Sequence, residues 1–358
     1  HQLPEIELVD LKKLKDKRAA DRIISPLLAR EMRACLSKGN QTLIFLSRRG
    51  FATSPVCRDC GESLSCRYCD ITMTYHRTVN EYQCHLCGFS RSLPVKCPKC
   101  NSENIRPLGF GTQRVESMLK EMFPDARLSR MDQDTTAKKG AMVKLLKDIR
   151  NRNVDIVVGT QMLAKGHDFA SITLVGVICA DLSLSLPDFR AGERTFQLLA
   201  QVAGRAGRGD VKGKVVMQTY NPDHFIIEAA RDQDFLSFFE NEAPFRKALI
   251  YPPFSRMIQI KISGTDKQKV PRFAAKTADT LKLLMDGYGK QKLQQVQILG
   301  PIEAPIQRIS SRFRWQILIK AVSASLINTL VKSMLEHPAL ASKSGISLSV
   351  DVDPYFLM

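Results

Sequence analysis

Four cysteine pairs, each spaced C-x-x-C, constrain this chain more than any other feature, because they take eight of its ten cysteines. Two residues between paired thiolates allow a tight turn that aims both sulfur atoms at one ion, and two pairs complete a tetrahedral zinc site. In a reducing compartment such spacing indicates zinc far more often than disulfides. We therefore predict a zinc-binding module over residues 57–100 that holds two ions.

The spacing does not decide which pairs share an ion. Sequential, interleaved and nested groupings all place four thiolates around each of two ions. Nesting has one physical merit, since the inner site then forms a finger that the outer site closes at its base. The remaining cysteines, Cys35 and Cys179, fall in apolar helix and strand patterns, and we predict that both belong to a hydrophobic core.

Strands and helices alternate on both sides of the cysteine-rich stretch. Amphipathic helices are predicted to begin at Ser25, with Pro26 in the first position, and to run over 138–150. The pattern is typical of an α/β domain into which the zinc module is inserted. Apolar runs of strand length occur at 42–47, 126–130, 155–159, 174–180 and 214–219.

Polar residues follow two of these apolar runs. Arg48 and Arg49 come after the first strand, and Thr160 and Gln161 come after the third. Open α/β sheets bind their ligands at the carboxyl ends of strands. We therefore expect these residues to face a ligand, with a plain surface loop as the alternative for the two arginines.

The stretch Gln197–Gly209 reads Q-L-L-A-Q-V-A-G-R-A-G-R-G, an amphipathic helix that ends in glycines. The glycines bring two guanidinium groups, those of Arg205 and Arg208, close to the backbone. A guanidinium aimed at a triphosphate stabilises the charge that spreads over a transferred phosphoryl group. On its own, the stretch is equally compatible with a glycine-broken helix end whose arginines lie on the surface.

The formal charge of +17 over 358 residues makes polyanions the expected partners, with nucleic acid first among them. The longest strongly apolar run, 172–180, is too short to cross a bilayer and too far from the start to be a signal peptide. We therefore expect a cytoplasmic protein. Because the chain begins at His1 with a Lys-rich polar segment, we also expect it to be the C-terminal part of something longer.

The stretch 251–254, Y-P-P-F, breaks the helical pattern before it and opens a region of a different kind. Apolar and polar residues alternate over 257–262 and again over 312–320, which predicts two strands. An amphipathic helix is predicted between them at roughly 272–285. We therefore predict a small α+β domain over residues 251–358.

Three stretches occur in a fixed order: T-Q-M-L-A-K-G-H-D-F at 160–169, P-D-F-R-A-G-E-R at 187–194 and Q-V-A-G-R-A-G-R at 201–208. Together they resemble the second motor lobe of superfamily 2 helicases, specifically that of the PriA-type replication-restart helicases. The stretch G-P-I-E-A-P-I-Q-R-I-S-S-R-F-R-W-Q at 300–316 resembles the last domain of the same family. The resemblance covers nearly the whole chain, but it is to the rear half of the family protein.

The resemblance implies a RecA-like, parallel-sheet helicase lobe over 21–56 and 101–250, interrupted by the two-zinc insert over 57–100. Residues 1–20 would be the connector from a missing first motor lobe, and residues 251–358 the small α+β C-terminal domain. Nested zinc pairing is implied as well. The outer ligands would be Cys57, Cys60, Cys97 and Cys100, and the inner ligands Cys66, Cys69, Cys84 and Cys87.

Other residue roles are likewise implied by the resemblance. ATP and magnesium would bind between this lobe and the first lobe. The catalytic residues would be Arg205, Arg208 and Gln201, with Gly166, Asp168 and Gly204 at the nucleotide. The DNA contacts would come from Arg48, Arg49, Thr160, Gln161 and Lys165. Arg312 and Gln316 would hold the acidic tail of the single-stranded-DNA-binding protein, because an arginine beside an aromatic residue suits a terminal carboxylate.

The function implied is an ATP-dependent 3′ to 5′ DNA helicase that recognises stalled or branched replication forks and initiates primosome assembly. Its partners would be branched and single-stranded DNA and other primosome proteins, within the nucleoid. The chain contains neither G-x-x-x-x-G-K-[ST] nor D-E-x-H, so alone it should not hydrolyse ATP. The alternative is a non-enzymatic, zinc-dependent DNA-binding and primosome-assembly scaffold that carries remnants of motor motifs.

Overall fold

A computed structural model of the chain divides it into two compact units. The first unit comprises His1–Leu64, Lys96–Leu186 and Arg190–Phe239, and the second comprises Ser65–Val95, Pro187–Phe189 and Glu240–Met358. The structure describes residues 4–14, 23–46, 54–57, 59–68, 72–76, 80–84, 87–93, 95–108, 112–131, 135, 140–160, 169, 171–184, 186, 188–207, 212–287, 296–341 and 345–357.

A six-stranded sheet forms the centre of the first unit, and each neighbouring pair in it is parallel. Its strands are β1 (Glu5–Asp10), β2 (Gln41–Phe45), β8 (Leu128–Met131), β9 (Ile156–Gly159), β10 (Ile172–Val177) and β11 (Lys214–Thr219). They lie in the order β1-β11-β10-β2-β9-β8. Each parallel pair needs a crossover connection rather than a hairpin.

Helices cover both faces of this sheet, which explains why its central strands are nearly continuous apolar runs. On one face α1 (Pro26–Ser37) and α2 (Thr112–Met122) pack in one buried cluster. The other face packs against α3 (Ala141–Arg150), α4 (Ala191–Ala203) and α5 (Phe225–Asp232). The predicted α/β lobe with a parallel sheet is confirmed. Cys35 and Cys179 are both buried in the cluster that contains α1, as predicted.

Strand β1 lies within the segment that the sequence suggested was a connector. It pairs in parallel with β11, from Glu5 opposite Lys214 to Asp10 opposite Thr219. Ile6 and Leu8 pack against the cluster on one face of the sheet. The sequence pattern does not reveal this strand, because an edge strand of six residues, half of them acidic, gives a weak apolar signal.

Helix ends show where local hydrogen bonds decide the boundaries. The helix predicted at 138–150 begins at Ala141, after Gly140 in the left-handed region at φ 83°. The helix predicted at 272–285 is longer, because Asp266 accepts hydrogen bonds from the backbone N–H groups of Gln268 and Lys269 at 2.8 and 3.0 Å. Those bonds satisfy first-turn donors and start the helix earlier. Helix α1 follows its prediction, with the Ser25 hydroxyl accepting from Leu28 N–H at 3.2 Å.

The second unit is built on a four-stranded antiparallel sheet in the order β13-β14-β12-β15. Its strands are β12 (Arg256–Gly264), β13 (Val296–Ile309), β14 (Arg312–Ala321) and β15 (Ile346–Val352). Helices α7 (Lys269–Asp286) and α8 (Ala324–Glu336) pack in one apolar cluster with one face of this sheet. The predicted α+β architecture is confirmed. Helix α6 (Phe235–Ala248) precedes the sheet in the chain.

Short strands organise the cysteine-rich stretch. In the first unit β3 (Ser54–Cys57) pairs antiparallel with β7 (Ile105–Leu108). In the second unit β4 (Thr74–His76), β5 (Glu81–Gln83) and β6 (Ser90–Ser92) form a three-stranded antiparallel sheet. The stretch predicted as one insert is thus shared between the two units.

Among the helices of the described residues, none has the length and apolar character that crossing a membrane requires.

Candidate functional site

Three of the cysteine pairs share one backbone conformation. In Cys57–Gly61, Cys84–Gly88 and Cys97–Asn101, the N–H of the fifth residue donates to the carbonyl of the first cysteine at 2.9, 3.0 and 3.0 Å. The fifth residue is a glycine or an asparagine in the left-handed region, at φ 79°, 81° and 61°. These residue types adopt that conformation at the least cost. Each pair is therefore a knuckle that turns both thiols to the same side.

The outer site is complete within the described residues. The sulfur atoms of Cys57, Cys60, Cys97 and Cys100 all lie within 4.8 Å of one another. Two of these separations are 3.6 Å for Cys57 and Cys100 and 3.4 Å for Cys60 and Cys97. Four sulfur atoms at about 2.3 Å from a zinc ion in a tetrahedron are about 3.8 Å apart, so this cluster fits the ion.

Three of the four inner thiols come together in the same way. The sulfur atoms of Cys66, Cys84 and Cys87 lie within 4.8 Å of one another. The sulfur atoms of Cys66 and Cys87 are 3.6 Å apart, which again fits a tetrahedral zinc ion. Cys69, the fourth expected ligand, lies outside the described residues. The observed grouping of the seven described thiols is nested, with the first pair joined to the last.

Two contacts fix the outer knuckles, one between the two knuckles and one to the end of β11. The Asp59 carboxylate accepts hydrogen bonds from the Ser102 hydroxyl and from the Asn104 amide, and these bonds lower the pKa of Asp59. A β-carbon on Gly61 would overlap the backbone carbonyl group of Tyr220, just after β11. The outer site, which belongs to the first unit, is therefore packed directly on the end of β11. The sequence shows a glycine after the cysteine pair, but nothing in it reveals this contact.

Thr160 and Asp181 lie at the carboxyl edge of the parallel sheet. Thr160 follows β9 and is fully buried, so its hydroxyl does not face solvent in this structure. Asp181 follows β10 and accepts hydrogen bonds from Tyr220 N–H at 2.8 Å and from the Thr219 hydroxyl at 2.9 Å. Burial raises the pKa of this carboxyl. Asp181 therefore connects the ends of β10 and β11.

The glycine-arginine turn lies at the opposite, amino edge of the sheet. Helix α4 ends with Gly204 N–H donating to Ala200 O at 3.0 Å, and Gln201 on its last turn is exposed. Arg205 is half-buried in the turn that follows. Gly207 N–H donates to the carbonyl of Ile172, the first residue of β10, at 3.1 Å. This bond holds the turn where β10 begins.

Among the described residues, Thr160 therefore lies at one edge of the sheet, and Gln201, Gly204 and Arg205 lie at the other. A six-residue strand such as β10 is about 20 Å long, at about 3.3 Å per residue. Thr160 lies at one end of that distance and the turn with Arg205 at the other. Seven further expected site residues lie outside the described residues: Arg48, Arg49, Gln161, Lys165, Gly166, Asp168 and Arg208.

The two candidate partner-binding residues in β14 are in different environments. Gln316 is 1% exposed and accepts a hydrogen bond from the Gln259 amide at 2.6 Å. Arg312 is half-exposed, and its guanidinium donates to the backbone carbonyl of Ser263 at 2.9 Å. Lys320 on the same strand is also buried, with its ammonium donating to Leu249 O at 2.7 Å. The polar side of β14 is thus largely covered.

Three protein-family models match the chain. The model of the helicase conserved C-terminal domain matches residues 103–210, and the model of the PriA DNA helicase Cys-rich region matches residues 66–91. The model of the primosomal protein N C-terminal domain matches residues 247–355. Along the chain, the three matches fall in turn on the cysteine-rich stretch, on the α/β lobe after it and on the antiparallel sheet.

Curated relatives match along almost all of the sequence. Replication restart protein PriA of Bacillus subtilis (strain 168) is 41% identical over 358 residues, which is 99% of this chain and 43% of the relative. The chain belongs to the PriA family. The PriA protein of Synechocystis sp. is 39% identical over 98% of this chain and 41% of the relative. That of Haemophilus influenzae is 37% identical over 95% of this chain and 46% of the relative.

The chain spans less than half the length of these PriA relatives. A solved structure of the C-terminal domain of the DEAD-box protein Dbp5 is 14% identical, with a TM-score of 0.34 over 68% of this chain and 97% of that one. That likeness is too weak to carry a functional comparison. Membership of the PriA family rests on the sequence relatives and on the three family models.

Proposed function

We propose that this chain acts as the C-terminal half of an ATP-dependent 3′ to 5′ DNA helicase that recognises stalled or branched replication forks and starts primosome assembly. The observation that carries the proposal is the PriA-family match over 99% of the chain. Support also comes from the described candidates, because Thr160 lies at one edge of the sheet and the turn with Arg205 at the other. Such a division lets a single lobe contact DNA at one edge and a nucleotide at the other.

ATP chemistry in this proposal needs two lobes. This chain has no G-x-x-x-x-G-K-[ST] or D-E-x-H stretch, so the lysine and the carboxylates that hold triphosphate and magnesium come from elsewhere. Its own contribution is the guanidinium of Arg205 together with that of Arg208, aimed at the transferred phosphoryl group. Gln201, Gly204, Gly166 and Asp168 complete the nucleotide side. Alone, the chain would not turn over ATP.

The DNA and partner contacts are also proposals. Thr160 is buried here, so a phosphate contact in this part of the sheet would come mainly from its neighbours Gln161 and Lys165. Arg48 and Arg49 would extend that contact. Arg312 keeps a half-exposed guanidinium that suits the acidic tail of the single-stranded-DNA-binding protein, whereas the buried Gln316 would act through its bond to Gln259.

Two zinc ions are part of the proposal, one in each cysteine cluster. Zinc bound by four thiolates is a structural centre without an open coordination position, so it supplies folding energy rather than catalysis. The knuckles would therefore hold DNA-facing or partner-facing surfaces in place. We place the protein in the cytoplasm, associated with the nucleoid, where its DNA and primosome partners are.

The deciding experiment measures DNA-stimulated ATP hydrolysis by residues 1–358 joined behind the N-terminal half of the Bacillus subtilis relative. Substitutions Arg205→Ala and Arg208→Ala are each compared with the parent. We expect ATP turnover in the parent. Removing the arginine that contacts the transferred phosphoryl group should lower that turnover by about a thousandfold or more. Arg231→Ala is the matched control, because that arginine lies on an exposed helix end and pairs with Asp232.

Two outcomes contradict the motor role. Equal ATP turnover in the parent and both variants would show that neither Arg205 nor Arg208 stabilises the transferred phosphoryl group. Absence of DNA-stimulated turnover in a folded, DNA-binding parent would favour the non-enzymatic scaffold, in which the zinc knuckles and the C-terminal domain carry the function.

A further inference from the structure

An exposed aromatic side chain lies within one of the cysteine pairs of the inner zinc site. Tyr68 is 57% exposed, although large aromatic side chains are usually well buried. It is one of the two residues between the ligands of the pair that begins at Cys66. None of the other three pairs has a tyrosine, phenylalanine or tryptophan between its cysteines. The exposed ring is therefore a particular property of this knuckle.

A guanidinium group is held against this ring. The Arg67 guanidinium carbon lies 4.6 Å from the centre of the Tyr68 ring and 4.7 Å from the centre of the Phe89 ring. The two rings meet edge to face at 5.3 Å, so the guanidinium fills the corner between them. Arg67 itself remains exposed. The cluster of Arg67, Tyr68 and Phe89 thus presents a cation and an aromatic surface together.

The metal ligands limit how far this cluster can move. Arg67 and Tyr68 directly follow Cys66 in the sequence, and the sulfur of Cys66 lies 3.6 Å from that of Cys87. Phe89 follows Gly88, the residue that closes the knuckle of Cys84. A surface that is already ordered loses little conformational entropy when a ligand covers it. The exposed ring is therefore suited to binding.

Single-stranded nucleic acid has the chemistry that this cluster recognises. Unpaired bases stack on exposed aromatic rings and on guanidinium planes, while nearby cations contact the phosphates, and zinc knuckles are among the modules that use this mode. Paired bases are already stacked on one another, so a duplex gains nothing from such a ring. The formal charge of +17 favours a polyanion over an acidic peptide of a few charges.

We propose that Tyr68 stacks on an unpaired nucleobase and that Arg67 contacts the adjoining phosphate. The inference rests on the proposed DNA-binding function and adds to it a named contact for single-stranded DNA. It assigns to the inner zinc site a direct share in binding the single strand. Phe89 is the positioning residue, because it holds the guanidinium from the other side.

The test measures binding of a labelled oligothymidylate, and of a blunt duplex of equal length, to the zinc-loaded chain. Variants Tyr68→Phe, Tyr68→Leu and Tyr68→Ala are compared with the parent, and Leu93→Ala serves as an exposed apolar control from the same unit. We expect Tyr68→Phe to bind like the parent. The leucine and alanine variants should lose roughly tenfold or more on the single strand and nothing on the duplex.

Arg67→Ala gives an independent readout. Loss of one phosphate contact should reduce the slope of log affinity against log salt by about 0.7 on the single strand, and Arg67→Lys should restore that slope. The Tyr68 variants should leave the slope unchanged. Zinc content is measured for every variant, and because the leucine and phenylalanine substitutions leave all cysteines in place, both should retain the metal.

The inference is overturned if zinc-loaded Tyr68→Leu binds the oligothymidylate as tightly as the parent. It is also overturned if the leucine variant keeps its affinity for the single strand but no longer binds a primosome protein, which would assign the surface to a protein partner. A parent chain that binds neither oligothymidylate nor duplex would refute the proposed DNA-binding function as well. Failure of the Tyr68 inference and failure of the proposed DNA-binding function therefore give different results.

Discussion

Gly61 shows how one missing side chain can join a metal site to a folded unit. Its φ of 79° lies in the left-handed region, and a β-carbon there would overlap the carbonyl group of Tyr220. Any other residue at this position would therefore lower the stability in two ways. Its backbone would be strained at this φ, and its β-carbon would displace the end of β11. The zinc ligand Cys60, directly before Gly61, leaves little freedom to avoid that displacement.

We expect Gly61→Ala to destabilise the zinc-loaded chain by roughly 2 kcal/mol or more, of which about 1 kcal/mol comes from the positive φ. Gly140→Ala is the matched control, because Gly140 has a φ of 83° but no heavy atom within 4 Å of its β-carbon position. Urea denaturation of both variants and the parent measures the difference. Equal losses in the two variants would show that the Tyr220 contact is not tight.

His224 makes folding stability depend on pH. Its ring nitrogen Nδ1 accepts the hydrogen bond from Ile226 N–H at 3.3 Å that caps α5. Burial, followed by the positive charge of Lys99, lowers the pKa of His224 to about 4. The unfolded chain takes up a proton below a pH of about 6.5, whereas the folded chain does so only near 4.

Stability should therefore be complete above about pH 6.5 and should fall by up to about 3 kcal/mol as the pH drops to 4. His224→Asn keeps an oxygen that can cap the helix but does not titrate. We expect the parent to lose more stability over this pH range than the asparagine variant. Thermal denaturation at several pH values provides the comparison, and parallel curves for the two proteins would exclude His224 as the source.

At the scale of elements, the zinc knuckles should fold with their metal. Each of the three described knuckles is closed by only two backbone hydrogen bonds across its turn, so the ion supplies much of its stability. We expect the parent to bind two zinc ions per chain and Cys60→Ser to bind one, measured by elemental analysis. Cys35→Ser, in the core of the first unit, should retain both. An unchanged zinc content in Cys60→Ser would contradict the outer cluster.

The elements that the sequence predicted well are those with strong local signals. The C-x-x-C spacing predicted the knuckles, and five apolar runs of strand length predicted the buried strands of the parallel sheet. Strand β1 was missed, because its partner β11 lies more than two hundred residues away and its own pattern is half acidic. The start of α7 was misplaced by about one turn, because side-chain caps extend helices beyond their apolar face.

The candidate site was predictable only in part, for the same reason. Residue types and order indicated the glycine-arginine turn and Thr160 after β9, but strand directions were needed to put these two at opposite edges of the sheet. Alternation in β14 predicted a polar face for Gln316, yet Gln259 and the carbonyl of Leu357 cover that position. Contacts between distant parts of the chain leave no mark in a local pattern.

At the scale of the whole molecule, net charge should govern affinity for DNA. With a formal charge of +17, binding should release many counterions from the DNA. We expect affinity to fall roughly a thousandfold between about 50 and 200 mM salt, the loss typical of about six phosphate contacts. A fluorescence titration series in potassium chloride measures the slope. A slope near zero would show that phosphate contacts contribute little.

The division of the cysteine-rich stretch between two units limits where this chain can be truncated or joined to a relative. Residues 65–95 belong with the antiparallel sheet that follows far downstream, and a β-carbon on Gly88 would lie 3.1 Å from Ile302 Cδ1. A truncation that keeps only the last hundred residues therefore removes part of their packing. A chimera of two relatives joined near residue 250 would pack residues 65–95 of one parent against the antiparallel sheet of the other. A hybrid should therefore take residues 65–95 and 240–358 from the same parent, because these two segments belong to one compact unit.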